Sequence, residues 1–410
     1  MERTILHVDC NSFYASVECF LNSDIRKYPV AVCGDVENCH GIILAKNEYA
    51  KKFSVTTGDT VWEAQEKCPG LVCVPAHFDH YLRFSRMARL IYEDYTDRVE
   101  PFGLDECWLD ITAPRVDGEQ IAQEIRARIK KELGITVSIG VSFNKIFAKL
   151  GSDYQKPDAI TVISKENYKQ KVWPLPVNTL LYVGRATTRK LLLRNIQTIG
   201  ELAQADSDML HSILGKMGLV IQSFADGRDT APVRRSIETA PIKSVGNSLT
   251  SPRDLENMQD IRIIAYLLSE SVAARLREYG MKSRTVRIWI RDNELCSFSR
   301  QMMLGHPSCL ARDISAAALA LFEKHYNWHS PVRSLGITAA NVFCPAVEQL
   351  TFFDDISAHR AERLEETLDN IRRRFGNLAI KRGITMLDTK LANIDIKAEH
   401  VIHPVSYFHK

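Results

Sequence analysis

The stretch Val99-Glu-Pro-Phe-Gly-Leu-Asp-Glu-Cys-Trp-Leu-Asp-Ile111 constrains this chain more than any other. Two short apolar runs flank a tight centre, the pattern of a β-hairpin. The centre carries Asp105 and Glu106 side by side. Adjacent carboxylates repel each other and cost stability unless a cation sits between them. A hard divalent ion such as Mg²⁺ takes an oxygen cluster of this kind. A lone Asp-Glu pair is ordinarily a solvated turn, so the weight falls on what the rest of the chain brings beside it.

The 410 residues allow two to four domains. A composition of 45% apolar and 25% charged residues is that of a soluble globular protein. The net charge of +3 does not by itself point to nucleic acid. Its distribution does more: between Arg234 and Pro345 there are fifteen Lys/Arg against ten Asp/Glu, the balance of a phosphate-facing module. The ten cysteines form no Cys-x-x-Cys pair, and no histidine pair has zinc spacing. Met-Glu-Arg-Thr leads straight into a strand pattern, and no apolar run reaches the length of a membrane span. A cytoplasmic protein with no membrane partner is the expectation.

Thr4 to Cys10 reads as a buried strand ending in Asp9, followed by a helix with Asn11 or Ser12 as N-cap. Further strands are expected at 29–33, 41–45 and 71–74, with a lysine-bearing helix over 47–53. Tyr81, Phe84, Ala88, Ile91 and Tyr95 share one helix face, as do Ile121, Ile125, Ile129 and Leu133. A strand over 136–141, a helix over 144–150 with Lys145 and Lys149, and a turn at Gln155-Lys-Pro-Asp-Ala159 follow. If residues 13–76 are an insertion, the order is strand, helix, strand, strand, helix, strand, the ferredoxin-like arrangement. There the end of the first strand, with Asp9, lies beside the hairpin turn. Three converging carboxylates then suggest a two-metal site.

From about Glu166 the chain turns to short helices, with glycine turns at Val183-Gly184-Arg185 and Gly215-Lys216. Such turns offer helix-start N–H groups to a phosphate. A separate α+β module follows, with Arg287, Arg291 and Arg333 in or beside its strands. Leu364, Leu368, Ile371 and Phe375 give a helix stopped at Gly376. Beyond Asp388 the sequence lacks periodicity and is expected to be flexible.

The chain resembles the Y-family DNA polymerases, of the DNA polymerase IV (DinB) type. Leu104-Asp105-Glu106 followed by Trp108-Leu109-Asp110 matches the family's carboxylate motif, with Gly103 where the family has Ser and Cys107 where it has Ala. Val8-Asp9-Cys10 with Phe13-Tyr14-Ala15 matches its first metal strand and aromatic pair. The resemblance implies an α+β multidomain fold. A ferredoxin-like palm (1–12 and 75–165) would carry inserted fingers (13–74), then a helical, helix-hairpin-helix-like thumb (166–232). A linker (233–243), a separate α+β little finger (244–345) and a tail (346–410) would complete it.

The resemblance also implies roles. Asp9, Asp105, Glu106 and the Cys10 carbonyl would hold two Mg²⁺ ions, and Tyr14 would be a steric gate against the ribose 2′-OH. Phe13, Lys51 and Lys156 would meet the triphosphate. Here Glu48-Tyr49-Ala50-Lys51 transposes the family's tyrosine and glutamate and replaces its arginine with lysine, which keeps charge but loses the bidentate fork. DNA contacts would come from Gly184, Arg185, Lys216, Lys243, Arg287 and Arg333. Gln349, Leu350, Phe352 and Phe353 resemble a peptide that docks in a groove of the sliding clamp (beta). The expected activity is template-directed addition of dNMP from dNTP to a primer–template by a monomer. Synthesis would have low fidelity, bypass lesions and lack a proofreading exonuclease. Two alternatives remain open at this stage: a ferredoxin-fold nucleotidyl cyclase, and a catalytically inactive DNA-binding homologue.

Overall fold

The computed structural model describes residues 3–34, 41–113, 117–238, 241–345 and 356–392, with 394 and 396. Two compact units divide at Thr239/Ala240, inside the segment read above as a linker.

The N-terminal unit begins with β1 (Ile5–Cys10), α1 (Phe13–Leu21), β2 (Val30–Cys33), β3 (Ile43–Lys46), α2 (Glu48–Lys51), α3 (Val61–Lys67) and β4 (Val72–Pro75). It continues with α4 (Phe78–Glu93), β5 (Val99–Pro101), β6 (Glu106–Asp110), α5 (Gly118–Leu133), β7 (Val137–Ser142), α6 (Lys145–Tyr154) and β8 (Ile160–Ile163). Five strands form one sheet in the order β5-β6-β1-β7-β8. β1 is antiparallel to both β6 and β7, as the ferredoxin-like order requires, and β8 adds a parallel edge.

The two-residue period of strands decides which side chains meet. His7 and Asp9 of β1 pair with Trp108 and Glu106 of β6, and with Gly140 and Ser138 of β7. This set faces α6. The helix lies very close there, because a Cβ on Gly140 would overlap the Ala148 carbonyl oxygen. Glycine at 140 therefore lets α6 bring its side chains down onto the carboxylates. Trp108 Nε1 donates to the Lys145 carbonyl at 2.9 Å and fixes the helix at the other end.

β2, β3 and β4 form a small second sheet over a core that includes Ala31, Cys33, Ile43 and Ala64. Helix α3 is absent from the sequence reading above. Its signal was present: Thr60 and Glu63 make a reciprocal capping box. Ser12, expected as a possible N-cap of α1, holds the cap position with φ 49 but makes no side-chain cap bond. The short helices α7 (Tyr168–Lys171), α8 (Arg185–Leu192), α9 (Ile199–Gln204), α10 (Ser207–Leu214) and α11 (Lys216–Ala225) share a core with Ile146, Phe147 and Leu150 of α6.

The C-terminal unit contains β9 (Ser244–Leu255), α12 (Met258–Glu278), β10 (Lys282–Asp292), β11 (Ser297–Ser308), α13 (Ala311–His325) and β12 (Val332–Phe343). Its sheet runs β11-β10-β12-β9. Val286, Ile288 and Ile290 point into the core under α12 and α13, so Arg287, Trp289 and Arg291 lie on the opposite face.

α14 (Ile356–Phe375) is the helix expected to stop at Gly376, and α15 (Thr389–Ala392) corrects the expectation of flexibility beyond Asp388 over the residues it spans. Leu391, Ala392 and Ile396 are buried in the core of this unit. Buried ion pairs accompany them. Arg277 binds Glu365 and Asp369, and Arg382 binds Glu270 at 2.7 Å and Glu365 at 3.0 Å. Leu391, Ala392 and Ile396 are too few to set a period in the sequence.

Candidate active site

The register sets Asp9 directly opposite Glu106. The Cys10 N–H donates to the Asp105 carbonyl at 2.9 Å, closing the hairpin turn onto the end of β1. Gly103 takes φ +93 in that turn, a conformation that suits glycine. The three carboxylates expected from the sequence therefore gather at one sheet end, although they come from segments almost a hundred residues apart.

Their surroundings treat them differently. Burial pushes the Asp105 carboxyl up to about 7, helped by the charges of Asp9 and Glu106. Burial also pushes Asp9 up, against the pull of Lys149 and Lys156. Burial acts in the same direction on Glu106, but hydrogen bonds from His7 and Lys149 outweigh it and hold this group down at about 2. Groups pushed apart in this way mark functional sites.

Two lysines supply positive charge in the free protein. Lys149 Nζ lies 3.1 Å from Asp9, 3.0 Å from Glu106 and 3.1 Å from Asp153. Lys156 Nζ lies 2.7 Å from both Asp9 and Asp153. The triphosphate ligand expected at Lys156 is thus paired with a carboxylate of the site here. Asp153 and the bridging role of Lys149 were missed from sequence. The i, i+4 spacing of Lys149 and Asp153 on α6, with Lys156 just past its end, was the available signal.

His7 was missed as well. It is fully buried, its Nδ1 2.8 Å from Ser152 Oγ and its Nε2 3.2 Å from Glu106 Oε2. Burial lowers its pKa, so the ring is neutral. Donor atoms of His7, Asp9 and Glu106 lie within 4.8 Å of one another, close enough to share one ion. Glu106 Oε2 is buried and meets both His7 Nε2 at 3.2 Å and Lys149 Nζ at 3.0 Å. A cluster of carboxylate oxygens already neutralised by a cationic side chain fits a hard divalent cation.

The remaining expected residues are dispersed. Phe13 is buried and lies beside Tyr14, ring centroids 5.7 Å apart. Lys51 is exposed and paired with Glu48 at 2.6 Å; Glu48 also accepts from Ser12 at 3.3 Å. Gly184 is the N-cap of α8 and Arg185 its first residue. Lys216 starts α11 after Gly215, which has φ +64. Lys243 is exposed just before β9. Arg287 is exposed and bonded to Gln301. Arg333 is partly buried and donates to the Ser251 carbonyl at 2.8 Å, so part of its fork is already used. Residues 349–353 lie outside the described residues.

Comparisons with known proteins bear on this geometry. The impB/mucB/samB family matches residues 8–153, and the C-terminal domain of that family matches 242–352. The DNA polymerase IV of Acetivibrio thermocellus is 52% identical over 399 residues, covering 96% of this chain and 100% of that protein. The chain belongs to the DNA polymerase IV group of Y-family DNA polymerases. Bacillus subtilis DNA polymerase IV 1 is 36% identical over 390 residues, covering 94% of this polymerase and 93% of its relative. A Y-family DNA polymerase chimera of known structure shares the fold, with a TM-score of 0.75 at 23% identity, over 83% of this chain and 99% of the chimera. The polymerase is accordingly a DNA-directed DNA polymerase, and the cyclase alternative falls. Among the described residues no helix is long and apolar enough to cross a membrane.

Proposed function

We propose that this polymerase extends a primer on a DNA template by two-metal catalysis, with low fidelity and across template lesions. The observation that carries the proposal is the pairing of Asp9 with Glu106 beside Asp105, in a buried setting that needs positive charge. Two Mg²⁺ ions held by Asp9, Asp105, Glu106 and the Cys10 carbonyl would activate the primer 3′-OH and neutralise the triphosphate.

The chain's own residues supply position, which is most of what phosphoryl-type transfer needs. Tyr14 acts as the steric gate under the sugar. Phe13, Lys51 and Lys156 serve the triphosphate. Gly184, Arg185 and Lys216 grip the DNA backbone at helix starts. Lys243, Arg287 and Arg333 do so from the C-terminal unit. The domain boundaries given above, the docking of 349–353 on a sliding clamp, a monomeric state and a cytoplasmic location belong to the same proposal. The absence of proofreading belongs to that proposal as well.

The test is primer extension with Mg²⁺, on undamaged templates and on templates with defined lesions. Wild type should add dNTPs past at least one lesion, and Asp105→Ala combined with Glu106→Ala should add none. Equal extension by the double variant would overturn the metal-site reading. Arrest of wild type at every lesion would remove the bypass role.

A further inference from the structure

The gate residue does not stand alone. The Tyr14 ring, on α1, stacks on Tyr81 of α4 with centroids 4.3 Å apart and planes 17° from parallel. Phe78 meets it edge-on at 6.0 Å and 86°. Tyr81 is fully buried. Its hydroxyl donates to Glu18 Oε1 at 2.6 Å and accepts the His77 backbone N–H at 3.2 Å. Glu18 lies one turn along α1 from Tyr14, is 6% exposed, and meets His77 Nδ1 at 3.0 Å through the same oxygen.

A buried carboxylate is costly to keep, and an apolar residue would fill the same space more cheaply. What a carboxylate adds is direction. It anchors the far end of the Tyr81 ring, and that ring is the surface on which Tyr14 lies. A steric gate discriminates by a clash, and a clash works only while the blocking ring cannot yield.

We propose that Glu18 and Tyr81 are positioning residues for sugar selection: the hydrogen bond between them fixes the plane of the Tyr81 ring, and Tyr81 in turn holds Tyr14 in its blocking position. The proposal rests on the reading of Tyr14 as the steric gate. It extends sugar selectivity from one aromatic residue to a brace spanning α1 and α4.

The experiment is single-nucleotide incorporation by the full-length enzyme on a primer–template, comparing kcat/KM for a dNTP and its matching rNTP. Tyr14→Ala tests the gate itself and should lose most of the discrimination. Tyr81→Leu removes the stacking surface. Glu18→Leu combined with Tyr81→Phe removes the brace while leaving two apolar groups of similar shape, a replacement that folds tolerate well. Both should lower the dNTP/rNTP ratio about two- to tenfold, the factor associated with one aromatic pair in the first and with one buried hydrogen bond in the second. The change should appear as a rise in rNTP kcat/KM, with dNTP kcat/KM held in the Glu18→Leu/Tyr81→Phe protein. A role in folding alone would instead depress both nucleotides together and lower Tm. The proposal is overturned if Tyr14→Ala loses selectivity while the brace variants keep the wild-type ratio, or if they lose both activities in parallel. If Tyr14→Ala keeps full discrimination, the gate reading fails and the brace loses its purpose.

Discussion

Lys149→Met is the most informative single change at the carboxylate site. Lys149 sits between Asp9, Glu106 and Asp153 at 3.0–3.1 Å, with its side chain 14% exposed. Methionine fills similar space without charge. Asp9 then keeps Lys156, at 2.7 Å, but Glu106 keeps only the neutral His7. Breaking a buried pair by removing one partner costs about 3–5 kcal/mol, mostly from the charge left behind. For a unit of about this size each kcal/mol moves Tm by roughly 2–4 °C, so a fall of roughly 6–20 °C is expected in EDTA. A divalent cation would take over the neutralising role, so millimolar Mg²⁺ should restore more of the loss in Lys149→Met than it adds to wild type. Differential scanning fluorimetry with and without Mg²⁺ reads both effects. Equal melting of the two proteins in EDTA, or an equal response to Mg²⁺, would refute the view that Lys149 stands in for a cation.

Other outcomes are equally specific. Asp105 has its carboxyl raised from 3.8 to about 7, so the folded state resists ionisation that the unfolded chain accepts. Its contribution to stability therefore falls as pH rises from about 4 to about 7, and is fully lost above that. Metal-free Asp105→Asn should gain stability relative to wild type across this window, and a gap that closes with rising pH would contradict it. In the C-terminal unit, Glu365→Ala would leave Arg277 with Asp369 and Arg382 with Glu270 and should cost about 1.5–3 kcal/mol, the loss of charge-assisted hydrogen bonds, visible as early melting and proteolysis near α14. Unchanged protease resistance would mean that α14 is held by other contacts. DNA affinity should fall steeply with salt, with a log–log slope of about −0.9 for each phosphate neutralised, and Arg287→Ala should flatten it by about one contact. A salt-independent Kd would exclude the basic face as a phosphate grip.

Much of the site was legible because its signals are local. Asp105 and Glu106 are adjacent, Asp9 ends an apolar strand, and Tyr14 follows in the same motif. Periodicity gave α4 and α5, and the order of elements gave the ferredoxin-like sheet. The capping box of α3, Thr60 with Glu63, is an equally local signal. Long-range pairing was not legible. No spacing announces that His7 would sit 2.8 Å from Ser152, or that the hydroxyl of Tyr81 would end on Glu18, because those contacts join residues 145 and 63 positions apart.

By itself the sequence determined which elements form, in what order, and which side chains can carry charge to a metal or a phosphate. Tertiary structure decided what those charges do. The register between β1 and β6 set Asp9 against Glu106, since a slip of one residue would have turned every side chain to the other face. The close approach of α6 over Gly140 brought Lys149 onto the carboxylates and engaged Lys156 with Asp9. Burial of Leu391, Ala392 and Ile396 in the core of the C-terminal unit made an aperiodic segment part of it. Burial and pairing depend on neighbours in space, and those neighbours exist only once the chain has folded.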